Sequence, residues 1–140
     1  MIDLTASAVT MLLSRSAISA AVGAHVYAVE LPAGFSTATN APAAIVLSEQ
    51  TDSDYDVSAQ IAALSLEARC FGPNPTAARA TFRALYDGLR SADGETLTNV
   101  TVGGFKWCSV WIDGGGQPQQ IEATKWEFVL CTVRALVLAT

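Results

Sequence analysis

Residues 61–90, IAALSLEARCFGPNPTAARATFRALYDGLR, constrain the fold more than any other stretch of the chain. Ala62, Leu64, Leu66, Ala68 and Cys70 recur at every second position, with Ser65, Glu67 and Arg69 between them. That is the period of a strand with one apolar face. Phe71 ends the run, and Pro73 cannot extend a ladder because it has no N–H to donate. Asn74 suits a helix N-cap, and Pro75 suits the first helical position, where a missing N–H costs nothing. Ala78, Phe82, Leu85 and Leu89 then mark one helical stripe, which can fold back on the apolar face of the strand. This unit carries no catalytic chemistry.

The flanking chain supplies partners for it. Thr5 to Ser14 shows Ala8, Met11 and Leu12 at helical spacing; Ser16 can cap a second helix, Ala17 to Val22, closed by Gly23. A short strand is predicted at His25 to Val29, an aperiodic loop at Ala33 to Pro42, and a strand at Ala43 to Glu49 with Ile45 and Leu47 opposed to Val46. The acidic stretch Gln50 to Ala59 leads into the organising strand. After the helix, Asp93-Gly94 is turn chemistry, and Leu97 to Val102 reads as a strand interrupted by Gly103-Gly104. Phe105 to Ile112 alternates, with Phe105, Trp107, Ser109 and Trp111 on one face. Asp113 to Ala123 (DGGGQPQQIEA) reads as a flexible excursion. Thr124 to Leu138 is a last long strand, with Trp126, Phe128 and Leu130 on one face and Val129, Cys131 and Val133 on the other. Apolar residues on both faces predict a central strand, or one whose second face meets a neighbour. The sum is a single α+β domain over residues 1–140, with helices packed on one face of a largely antiparallel sheet. Its expected core is Leu64, Leu66, Phe82, Leu85, Leu89, Trp126, Phe128 and Leu130.

A chain of 140 residues buries roughly 68% of its unfolded surface, enough for one core. Only 15% of residues are charged, against about 25% in a typical soluble domain. Half the chain is apolar, but 24 of those residues are alanine, so the core is smaller than the 51% suggests. A surface so poor in charge favours an oligomer over a monomer. The net charge of −5 argues against gripping nucleic acid by its phosphates. Charge is also polarised along the chain. No Lys or Arg lies between Arg15 and Arg69, where Glu30, Glu49, Asp52, Asp54, Asp56 and Glu67 all fall, whereas the helix brings Arg79, Arg83 and Arg90.

Cys70, Cys108 and Cys131 are odd in number and set in apolar runs, which reads as buried thiols of a reducing compartment. With one histidine and no CxxC pair, no zinc site is expected. Asp3 stands where a signal peptide is basic, Ser14-Arg15-Ser16 breaks the apolar run, and no stretch reaches the ~20 apolar residues of a membrane span. A soluble, intracellularly made protein is expected, with no membrane partner.

Candidate chemistries fail on their own requirements. Asp52, Asp54 and Asp56 match the first three ligands of an EF-hand loop, but Val57 replaces its glycine and Ala63 its bidentate glutamate. Gly114-Gly115-Gly116 lacks the Lys-Ser/Thr and the helix of a phosphate cradle. His25 sits in an apolar strand with no nucleophile motif, and reads as a packed or capping residue. Glu122 and Glu127 form no acid–base signature. No enzyme, cofactor or metal is indicated. Arg79, Arg83, Tyr86 and Arg90 form one helical stripe, which is either a solvated flank or a protein contact face.

The order of these pieces is similar to a known family. LLSRSAISAAVGAHVYAVELP resembles the opening of the tail-completion, or tail-terminator, proteins of long-tailed bacteriophages. SLEARCFGPNPTAARATFRALYDGLR resembles that family's strand and Ala- and Arg-bearing helix, and WCSVWIDGGGQPQQIEATKWEFVLCTVRAL its closing hairpin and last strand. The acidic loop and the triple glycine depart from the pattern. The resemblance implies a virion structural protein that forms a homo-oligomeric ring, commonly a hexamer, on the last ring of the tail tube. It would be assembled in the host cytoplasm, end tail polymerisation and join the tail to the head connector, with DNA passing through without specific binding. Relatives of similar fold act in the neck instead, as head-closure or adaptor proteins.

Against that reading stand a small ligand-binding domain with Trp107, Trp111 and Trp126 lining a pocket, and an enzyme without a recognised signature. For the ring, the charge pattern predicts a heterologous interface: Asp52, Asp54 and Asp56 of one subunit facing Arg79, Arg83 and Arg90 of the next. In the competing arrangement, the acidic stretch lines the lumen. Gly114, Gly115, Gly116, Gln117 and Gln119 are expected to form a mobile arm that contacts another ring.

Overall fold

The computed structural model describes residues 4–29, 43–50, 53–56, 61–90, 96–102, 104–121 and 126–139. The loop expected at Ala33–Pro42 and the turn at Asp93-Gly94 lie outside them. In chain order the elements are α1 (Leu4–Leu13), α2 (Ser16–Val22), β1 (Val26–Ala28), β2 (Ala44–Glu49), β3 (Asp54–Asp56), β4 (Ile61–Gly72), α3 (Pro75–Gly88), β5 (Leu97–Val102), β6 (Phe105–Ile121) and β7 (Trp126–Ala139). The strands form one sheet in the order β1-β2-β4-β7-β6-β5, and β3 joins the same side of β4 as β2. Every pairing is antiparallel except β1 with β2. The class is α+β, as the strand and helix periods predict.

The stretch from Ile61 to Arg90 folds as its pattern dictates. Asn74 caps α3, its Oδ1 accepting from the Ala77 N–H at 2.8 Å, and Pro75 begins the helix. Losing such a cap costs about 1 kcal/mol. Gly72 is glycine because α3 turns back so tightly: a Cβ there would lie 2.5 Å from the Ala78 nitrogen. Thr81 fastens the helix to the strand, its hydroxyl within reach of the Phe71 carbonyl at 3.1 Å and of Ala77 at 3.0 Å. Ala78, Leu85 and Leu89 are buried against Ala62, Leu64, Leu66, Ala68 and Cys70. Burying a leucine fully is worth about 1.5–3 kcal/mol, so this contact anchors the domain. Phe82 is only half-buried at the edge of the cluster.

All three helices pack on the same face of the sheet. α1 meets β1 and β2 near one edge and β5 at the other, α3 covers β4, β7 and β6, and α2 lies against α3. No single helix among the described residues is long and apolar enough to cross a membrane. α2 starts at Ser16 itself, so Arg15, not Ser16, occupies the cap position. Its Nε donates instead to the Gly88 carbonyl at 2.9 Å, tying the α1–α2 corner to the end of α3.

The last strand faces the opposite way to the expected core. Val129, Cys131, Val133, Ala135 and Val137 point to the helices, while Phe128 and Leu130 lie half-buried on the other face; the Trp126 side chain lies outside what is described. With both faces apolar, alternation alone cannot select the inner one. The register with β4 selects it, setting Cys131 beside Ala68 and Val133 beside Leu66. A second, small cluster of Ala44, Val46 and Phe71, with Tyr27 and Phe128 against it, sits on the face without helices.

Candidate functional site

The segment read as a flexible excursion is strand. Gly114, Gly115, Gly116, Gln117 and Gln119 belong to β6, which runs to Ile121 and pairs with β7 as far as Trp126; Ala123 lies outside the described residues. The strand accommodates this composition through register shifts between Ile112 and Gly115 and between Gly115 and Gln117. Each shift absorbs a surplus residue as a bulge, a conformation that glycine adopts readily. Pro118 fits because, among the described residues, β5 pairs with β6 no further than Val110 and no other strand takes that side of β6. The expected arm is therefore the far half of a two-stranded hairpin. Its sequence lacks alternation, and that hid it.

A third irregularity lies between Trp107 and Ser109, and it resets the alternation. Trp107 and Val110 both point into the core and are fully buried, whereas Trp111 falls on the opposite face beside Arg134. Trp107 and Trp111 therefore cannot line one pocket, so a site lined by all three tryptophans does not form. His25 is half-buried, its Nδ1 sharing a hydrogen bond with the Tyr27 hydroxyl at 2.6 Å.

The charged candidates lie on two different layers. Asp52 lies outside the described residues. Asp54 and Asp56 form the ends of β3, pairing with Ala63 and Ile61, so part of the acidic stretch is strand and not loop. Asp54 is exposed and shares the helix-free face with Ala63. Ser53 secures β3: its hydroxyl accepts from the Ser65 N–H at 2.9 Å and lies 3.2 Å from the Ser65 carbonyl, bridging the gap on β4 between β2 and β3. Arg79 and Arg83 are exposed on the outer side of α3, and Arg90 follows the helix. Arg83 pairs with Asp87 at 3.3 Å, and the guanidinium groups of Arg83 and Arg90 stand 6.0 and 4.9 Å from the centre of the Tyr86 ring. Such cation–π contacts are worth about 0.5–1 kcal/mol at exposed sites, and they gather the stripe into one patch. Within the chain the acidic and basic groups therefore lie on opposite layers.

In overall fold the chain is similar to one from a solved virion of a native gene transfer agent (GTA) particle. The TM-score is 0.62 at 18% identity, over 91% of this chain and 88% of that one. The likeness is one of fold. No protein-family profile and no curated protein matches the sequence.

The residues missed in the sequence are apolar ones on the helix-free face. Ile61 and Leu136 are 43% and 41% exposed, and Ala63 lies open between them. The signal was the second apolar face of β7, whose inner and outer sides alternation did not distinguish.

Proposed function

We propose that this chain is a non-enzymatic structural subunit of a phage-type virion. It forms a homo-oligomeric ring, six-membered by the family resemblance, at the head-proximal end of the tail. There it ends tail-tube polymerisation and joins the tail to the head connector. The observation that carries the reading is the fold likeness to a gene transfer agent virion chain over nine-tenths of this one. The resemblance of the opening, central and closing segments to tail terminators supports the level in the particle.

The surface is compatible with that role. A net charge of −5 lets DNA pass through a ring without being held. The far half of the β6–β7 hairpin, holding Gly114, Gly115, Gly116, Gln117 and Gln119, offers the edge of a strand to a neighbouring ring of tail tube or connector. Its bulges and Pro118 guard that edge against indiscriminate pairing.

Deleting the gene tests the reading. Particles lacking the protein should show tails of uncontrolled length beside filled, unattached heads, and complementation should restore one tail length. Tails of normal length that fail to join heads would contradict the terminator role. Normal, infectious particles would contradict the virion role altogether.

A further inference from the structure

Four large apolar side chains are exposed among the described residues: Val29, Ile61, Tyr86 and Leu136. Three of them fall into two patches on opposite sides of the subunit. Ile61 and Leu136 are diagonal neighbours on the helix-free face of the sheet, because Ile61 pairs with Leu138 and Ala63 with Leu136. Asp54 borders this patch through its pairing with Ala63, and Lys106 borders it on the far side through its pairing with Leu138. The second patch is the outer stripe of α3. Tyr86 lies at its centre between Arg83 and Arg90, Asp87 stands beside Arg83, and the exposed Arg79 lies two turns earlier on the same stripe.

We infer that these two patches are the two halves of a head-to-tail contact between copies of this chain, which rests on the ring reading above. The occupant of the helix-free sheet face is the next subunit's α3. Tyr86 covers Ile61, Ala63 and Leu136, the arginines meet Asp54, and Asp87 meets Lys106. Charge complementarity selects this occupant: the sheet patch has an acid on one border and a base on the other, and the helix patch carries the opposite signs. A second sheet patch would oppose apolar to apolar, and of the cations bordering the patch among the described residues, Lys106 and Arg134, the latter is already paired with Asp113, which leaves Lys106 to meet Asp54. Because α3 lies on one layer and the patch on the other, the contact is heterologous, and heterologous contacts close rings when the rotation permits. The apolar centre supplies binding, and the charged border sets register and excludes wrong pairings.

The test uses two variants of the full chain, Asp54→Arg and Arg79→Glu/Arg83→Glu, all at exposed positions where folding is little affected. Native mass spectrometry is recorded with tail tubes present, for each variant alone and for their equimolar mixture. Each variant alone should lose the ring, since its own two patches then repel. The mixture should recover it with the two chains alternating. There the base introduced on β3 of one chain meets the acids introduced on α3 of the other, while the reverse contact stays wild type. Rings that persist in either variant alone, or a mixture that stays dissociated while the wild type assembles, would overturn the contact and leave the ring reading standing. A wild-type chain that never assembles would overturn both. Leu136→Asp provides a second probe: a folded, dissociated protein is expected, and a folded protein in intact rings would also overturn the contact.

Discussion

Gly88 and Ile18 meet so closely that no side chain fits between them. A Cβ on Gly88 would lie 2.5 Å from the Ile18 Cγ1 and 2.7 Å from its Cδ1, and Ile18 is fully buried. Arg15 closes the same corner by donating to the Gly88 carbonyl. The joint between α2 and α3 is therefore set by an absence of volume.

Gly88→Ala should destabilise the protein. Alanine gains about 1 kcal/mol in helix propensity, but forcing a methyl into a packed joint costs about 1–3 kcal/mol or more. Ile18→Ala removes the obstructing atoms and should recover part of the loss when combined with Gly88→Ala. Urea denaturation of the two single variants and the double variant checks this through a double-mutant cycle, and strictly additive effects would refute the close contact.

Val29 holds a φ of 72°, a left-handed conformation that β-branched residues rarely adopt. Its backbone is fixed on both sides, the N–H donating to Leu47 at 2.7 Å and the carbonyl accepting from the Arg69 Nη2 at 3.0 Å. The side chain is 64% exposed and so contributes little packing. Val29→Asn should keep both hydrogen bonds, relieve strain and raise stability by about 0.5–1 kcal/mol. A lower melting temperature would show that the valine side chain stabilises the monomer.

Cys70 is fully buried. Its hydrogen bond with Cys131, then its burial, then the charge of Cys131 raise its pKa well above the ordinary thiol value. The folded chain thus keeps a proton that the unfolded chain loses above about pH 8.5. Stability that is complete below that pH must fall as pH rises beyond it, by at most about 1.4 kcal/mol per pH unit for one group. Denaturant midpoints between about pH 7.5 and 9.5, which bracket the unfolded thiol's pKa, should decline for the wild type and decline less for Cys70→Ala. Equal slopes would exclude Cys70 as the source.

Much of this fold was legible because local and global signals agree. Asn74, Pro75 and the alternation from Ala62 to Cys70 each specify one conformation, and the register confirms them. Legibility failed where one strand's pattern depends on another strand. The bulge after Trp107 separates Trp107 from Trp111, and the shifts around Gly115 turn an unpatterned segment into ladder. The inner face of β7 was set by β4 and not by its own residues. For the same reason the sequence showed the charges of the candidate contact but not its apolar centre, since Ile61 and Leu136 become neighbours only through the β4–β7 pairing.

Native mass spectrometry of the purified protein, with and without tail tubes, tests the central claim most directly. The account predicts a discrete closed assembly of the 14.6 kDa chain, six copies by the family resemblance, formed at the latest when tubes are added. A chain that stays monomeric in both conditions, at concentrations where tubes are fully capped in intact particles, would contradict it.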